Sequence, residues 1–156
     1  MIGGMTRALV AVGALLTTAF IVLGLVVFLT RSEDRVAADN VLAENLTRAI
    51  QVNDTAGGGT VDLRRVAPFR WDRVLVVQPG TARDDISAEL GSGYKGMLPF
   101  GSTGEVFVFA RGRTIARIAD YRGRGTFSGF ERPLDVLPRA DAVLDVDELV
   151  ISPASR

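Results

Sequence analysis

Two groups of side chains have the composition to do chemistry. Carboxylates cluster at Asp84, Asp85 and Glu89, and again at Asp141, Asp145, Asp147 and Glu148. Two carboxylates held at a fixed separation in a cleft can serve as general acid and base. The run Asp145-Val146-Asp147-Glu148 could offer oxygens to a divalent cation, but it lacks the glycine and the spacing of a calcium loop. Solvated faces are the ordinary place for such clusters. Arginines gather at Arg111, Arg113, Arg117, Arg122 and Arg124, where guanidinium groups could meet anionic headgroups or an acidic partner. The chain has no histidine and no cysteine. Imidazole and thiolate chemistry, the common zinc sites and disulfides are thereby excluded, and there is no G-x-S-x-G nucleophile elbow. The expectation is a chain without catalytic residues, cofactor or bound metal.

Gly91-Ser92-Gly93-Tyr94-Lys95-Gly96 matches G-x-G-x-x-G, but it follows an expected helix and leads to an expected strand. A dinucleotide loop does the reverse, so these glycines read as a helix exit and a flexible loop. Trp71-Asp72 admits two readings. The ring can be a core lid, with the carboxylate bonding a nearby backbone N–H or an arginine. Alternatively the ring is the stacking wall of a surface pocket, with Asp72 as acceptor. The expected interaction surface comprises Trp71, Asp72, Tyr94, Arg111, Arg113, Arg122 and Arg124. With 18 basic and 18 acidic residues the net charge is zero, and no nucleic-acid partner is expected.

The elements that must position these residues follow from pattern. Residues Arg73 to Gln78 form an apolar, β-branched run ended by Pro79-Gly80, which predicts a buried strand. Thr81 then reads as an N-cap, with Asp84 and Asp85 in the first turn, Ile86 and Leu90 facing inward, and Gly91 ending a short helix. Gly91 to Gly104 reads as a loop. Glu105 to Ala110 and Thr114 to Tyr121 predict a hairpin with Phe107 and Phe109 on one face and Val106 and Val108 on the other. Phe127 and Phe130 are expected to dip into the core. Ala142 to Asp147 reads as a last strand, and the tail as frayed.

Ala8 to Leu29 carries no charge, with only Thr17 and Thr18 polar. About 20 apolar residues suffice to span a bilayer, so the pattern predicts one uncleaved membrane anchor. Leu42, Leu46, Ala49 and Ile50 recur at helical spacing, which predicts a juxtamembrane amphipathic helix from Glu33 to Val52. Either it packs on the domain or it serves self-association. The expected organisation is an anchor over 1–31, the helix and a Gly-rich linker over 32–60, a soluble domain over 61–151 and a tail over 152–156. The fold class is α+β, with a small antiparallel sheet and one short helix. The expected place is the cell membrane, with the lipid bilayer as partner. The positive-inside count does not favour export, but long domains translocate largely regardless of charge, and an extracytoplasmic domain is expected.

Phe69-Arg70-Trp71-Asp72-Arg73, the strand through Val77, Pro79, Thr81, the short helix and Leu90-Gly91 together resemble a group of small bacterial membrane-anchored envelope and lipoprotein-like domains of uncharacterised role. The likeness covers Val66 to Gly91. It implies an exported, tethered α+β domain and no particular activity. The functional expectation is a non-enzymatic interaction domain with a protein partner in the envelope. The alternatives are an accessory membrane protein of a mobile element acting through its span, and an enzyme working through carboxylates and arginines.

Overall fold

The computed structural model describes residues 38–99 and 104–154. In chain order they form α1 (Asn40–Thr55), β1 (Gly59–Asp62), α2 (Leu63–Val66), β2 (Arg73–Val77), α3 (Arg83–Leu90), β3 (Val106–Arg111), β4 (Thr114–Asp120), β5 (Thr126–Phe127), β6 (Leu134–Pro138), a 3-10 turn (Arg139–Asp141), β7 (Val143–Asp147) and β8 (Val150–Pro153).

β2 and β3 are the two most apolar strands, and they lie side by side. They pair antiparallel, Val74 opposite Phe109 and Val76 opposite Phe107, within a sheet of order β4-β3-β2-β6. Their sequences are nearly continuous apolar runs because both faces of the pair are buried. Val74, Val76, Phe107 and Phe109 point into the main core. Leu75, Val77, Val106, Val108 and Ala110 point the other way, into a second cluster.

Each face has its own cover. The second cluster is closed by Ile86 and Leu90 of α3 and by Tyr94. Gly91 ends α3 in the left-handed conformation, φ 66°, which a residue without Cβ adopts at little cost. The N-terminus of α3 differs from expectation. Ala82 is its N-cap and makes no side-chain bond. Thr81 is buried instead, its hydroxyl 2.6 Å from the Gln78 carbonyl and 2.7 Å from that of Pro133. The hydroxyl therefore ties the β2 exit to the segment that enters β6.

The main core is covered by α1 and by a second sheet of order β1-β7-β8-β5. α1 starts at Asp39, whose Oδ1 accepts from the Leu42 N–H at 3.0 Å. The helix buries Leu42, Ala43, Leu46 and Ile50, a stripe at i, i+4, i+8 spacing. The expected amphipathic helix thus packs on the domain. Its residues before 38 lie outside the described ones. Phe127 and Phe130 join this core as expected, Phe127 at 5.9 Å from Phe107 and 5.2 Å from Tyr121 between ring centroids.

The expected fold class is corrected in several respects. There are two four-stranded sheets in place of one small antiparallel sheet, and β5 runs parallel to β8. The expected linker turns through Gly57 and Gly58 directly into β1, and a Cβ on Gly59 would run into the Asn53 side chain. The tail expected to fray supplies β8, which pairs with β7 from Val150 to Pro153. Among the described residues no helix is long and apolar enough to cross a membrane. Within the described residues this corrects the expectation of a single-pass membrane protein, since none of them forms a membrane span. The apolar run Ala8 to Leu29, on which that expectation rested, lies outside the described residues.

Trp71 decides between its two readings by burial. It is 3% exposed, its Nε1–H donates to the Ala67 carbonyl at 2.8 Å, and its ring meets Phe109 edge-on at 5.1 Å. It is a core lid. Trp71→Ala removes this ring and leaves a cavity, so thermal or denaturant melts should show a loss of about 3–5 kcal/mol. Coincident melts of the two proteins would contradict the burial.

Candidate binding groove

The seven residues expected to share one interaction surface do not share one. Asp72 sits at the start of β2, where its Oδ2 accepts from the Gly112 N–H at 2.5 Å across the β3–β4 turn. Arg111 and Arg113 flank that turn. The Arg113 guanidinium donates to the Gly91 carbonyl, and the Ser92 hydroxyl donates to the Arg113 carbonyl at 2.7 Å. These contacts hold the turn to the end of α3. Nearby, Arg73 Nη2 donates to the Glu89 carbonyl at 3.4 Å, while its Nε is buried with no partner among the described residues.

Arg122 and Arg124 lie beyond the other end of β4, a strand of seven residues, or about 20 Å at 3.3 Å per residue. Arg122 grips Asp120 through two bonds of 2.7 and 2.9 Å and donates to Asn40 Oδ1 at 2.7 Å. Its guanidinium therefore fastens β4 to the first turn of α1. The Arg124 carbonyl accepts from the Tyr121 hydroxyl at 2.5 Å. Tyr94 is buried in the second cluster, its hydroxyl donating to the Met97 carbonyl at 2.5 Å. Five of the seven side chains thus hold turns and layers together, Arg124 takes part only through its carbonyl, and the Arg111 and Arg124 side chains are exposed.

A different set of residues converges on a groove. A cavity of about 400 Å³ lies between the first turns of α1 and the segment that leaves α2. Leu42, Val66, Pro68 and Phe69 give it apolar walls, and Asp39, Asn45 and Arg117 give it polar ones. Val41 stands at its edge and is 69% exposed, the most exposed of the large apolar side chains among the described residues. This volume falls in the range of about 300–1,000 Å³ in which apolar pockets with a few placed polar groups bind ligands.

The geometry of the groove rests on three contacts. Phe69 packs edge-on against Phe109 at 5.6 Å, so one wall is backed by the central sheet. The Arg117 guanidinium lies over the Phe69 ring, 5.1 Å from its centroid, an attraction worth about 0.5–1 kcal/mol at exposed sites. Arg117 also pairs with Asp39, the N-cap of α1. The Leu42 N–H and the Arg117 guanidinium both favour the ionised carboxylate and hold Asp39 below its ordinary range. One ion pair thereby joins β4 to the helix that forms the opposite wall. Exposed pairs contribute little stability, but this one fixes the direction of the guanidinium.

Sequence reasoning did not assemble these residues. Arg117 and Phe69 are each visible in the sequence. Their meeting depends on a register shift between Phe109 and Ala110, which sets Arg117 opposite Phe109. A β-bulge of this kind re-aims a side chain, and no glycine or proline marks it. Among the described residues no group of three or more Asp or Glu could hold a metal ion. The two acidic clusters flagged by the sequence lie along α3 and along the 3-10 turn, β7 and the turn after it.

The chain has two tyrosines, and burial raises both above the ordinary value of 10.0, to about 12. For Tyr121 the carboxylates of Asp54 and Glu105 add to the effect. The folded state favours the neutral rings. That stabilisation is fully present below the unfolded pKa of 10.0 and is lost as pH rises through about 12. An alkaline titration followed by tyrosinate absorbance should show both rings ionising only above pH 10.0, together with loss of structure. A tyrosinate step at the ordinary value with circular dichroism unchanged would refute the burial.

No family model matches this chain, and neither a curated protein nor a solved structure matches it.

Proposed function

We propose that this protein is a non-enzymatic binding module that takes a segment of a protein partner into the groove between α1 and Phe69. The observation that carries the reading is the pairing of an apolar trough with an exposed cation. Leu42, Val66, Pro68 and Phe69 can bury an aliphatic side chain. Arg117 is half exposed despite its pairing with Asp39, and a guanidinium has five donors, more than one carboxylate uses. Arg70, next to Phe69 in the sequence, is exposed. The segment that fits carries an aliphatic side chain close to an aspartate or glutamate. Its apolar part supplies burial, and its carboxylate supplies orientation and selectivity.

The absence of histidine and cysteine from the chain supports binding over catalysis, because the most frequent general base and the thiol nucleophile are missing. The test is a random peptide library selected against the full chain. Enriched peptides should pair an aliphatic with an acidic residue. Val41→Asp and Arg117→Gln should each weaken a selected peptide by about tenfold or more, about 1.4 kcal/mol. Enrichment that is unaffected by either substitution, or no enrichment at all, would overturn the proposal.

A further inference from the structure

A second cavity has a different chemistry. It lies at the end of the central sheet opposite the β3–β4 turn, where β2 stops, β3 begins and β5 of the other sheet passes. Its volume is about 390 Å³, and it is lined by Gln78, Pro79, Glu105, Thr126, Phe127 and Arg132. The Glu105 carboxyl is half-buried, and no ion pair or bond to another side chain satisfies it among the described residues. Loss of water raises its pKa, and its own backbone N–H and the Arg132 charge oppose that shift. Arg132 is therefore close enough to be felt, yet it forms no ion pair with Glu105 within 4.0 Å among the described residues. A carboxylate and a guanidinium thus face one cavity with a gap between them. A half-desolvated carboxylate held only by its own backbone N–H is costly, and a cationic group entering the cavity would reduce that cost.

The walls are fixed rather than adaptable. The Gln78 side chain is buried and donates to the Glu131 carbonyl at 3.3 Å. The Gln78 N–H donates to the Pro133 carbonyl at 3.2 Å, which holds the Arg132 segment against the end of β2. Gly125, beside Thr126, has φ 135°, and a Cβ there would lie 2.5 Å from Ile151 Cδ1 and 2.9 Å from the Leu149 carbonyl oxygen. Phe127 and Pro79 supply an apolar flank.

We infer that this cavity binds a small zwitterion of the free α-amino-acid type, with its ammonium on Glu105, its carboxylate on Arg132 and its side chain against Phe127 and Pro79. Opposite charges on the two groups select a ligand that carries both signs a few atoms apart. A purely anionic ligand would be repelled by Glu105, and a purely cationic one would leave Arg132 unused. The site shares no residue with the groove between α1 and Phe69, so the two can be tested separately.

The experiment is isothermal titration of the full chain with L-alanine, L-leucine and L-phenylalanine, each also as the N-acetyl derivative and as the carboxamide. At least one free amino acid should bind saturably. Blocking either its amine or its carboxylate should weaken it at least tenfold. Glu105→Gln and Arg132→Gln should abolish binding, and thermal melts report whether each variant is folded. If no free amino acid binds, the inference falls. If the carboxamides bind as well as the free acids, the site takes a cation and the zwitterion assignment is wrong. Binding by wild type that both folded variants retain would place the ligand elsewhere. Should a variant unfold, the comparison of free and blocked ligands on the wild type still decides.

Discussion

Burial of one strand pair on both faces is the constraint on which the structure depends. β2 and β3 present Val74, Val76, Phe107 and Phe109 to one side and Leu75, Val77, Val106 and Val108 to the other. Neither side can be left in water, since each fully buried side chain of this size contributes about 1.5–3 kcal/mol relative to exposure. Two covers are therefore required, and they differ in size. The smaller one, α3 with Tyr94, is a short helix and the loop that follows it. The larger one combines α1 with an entire second sheet. Several long-range polar contacts fasten the covers and the turns to the frame. Arg113 holds the β3–β4 turn to α3, Thr81 holds the β2 exit to the β6 entry, and Arg122 holds β4 to α1.

Both candidate sites lie where covers meet the frame. The groove opens where the first turns of α1 leave the sheet and Phe69 completes the aromatic row with Phe109 and Trp71. The second cavity opens where the two sheets part, beyond the last residues of β2. Arginines cap the aromatic row at both ends, Arg117 over Phe69 and Arg139 over Trp71, 5.1 and 5.2 Å from the ring centroids. The apolar interior is thus sealed by cations whose stems pack and whose heads stay in water.

The frame was legible in the sequence, and its margins were not. The β2 and β3 runs, the hairpin to β4 and the glycine that ends α3 all follow from local pattern. The inward turn of Phe127 and Phe130 follows from their size alone. Of the second sheet, β7 was legible as the strand read from Ala142 to Asp147, whereas β5 and β8 are two and four residues long and the turn from β7 to β8 carries no marker. β7 meets β8 through Glu148 and Leu149, both at positive φ, 45° and 63°, where glycine or asparagine would have signalled a hairpin. β6 hides between Pro133 and Pro138, and an edge strand tolerates that proline. The arginines were visible as a cluster, but the strand between Arg113 and Arg122 carries them to opposite ends. Spacing along a chain shows which residues are near in sequence, not which end of a strand each occupies.

Hydrogen exchange on the full chain tests the central claim most directly. If the doubly buried pair is the frame on which both covers and both sites rest, the backbone amides of Val74 to Val77 and Val106 to Ala110 should be the slowest among the described residues. The amides of Val66 to Phe69 and of the Gly91 to Leu98 loop should exchange faster, because they belong to the margins. Strand amides that exchange as fast as those of the loop would contradict the account, since a pair buried on both faces opens only when the domain unfolds.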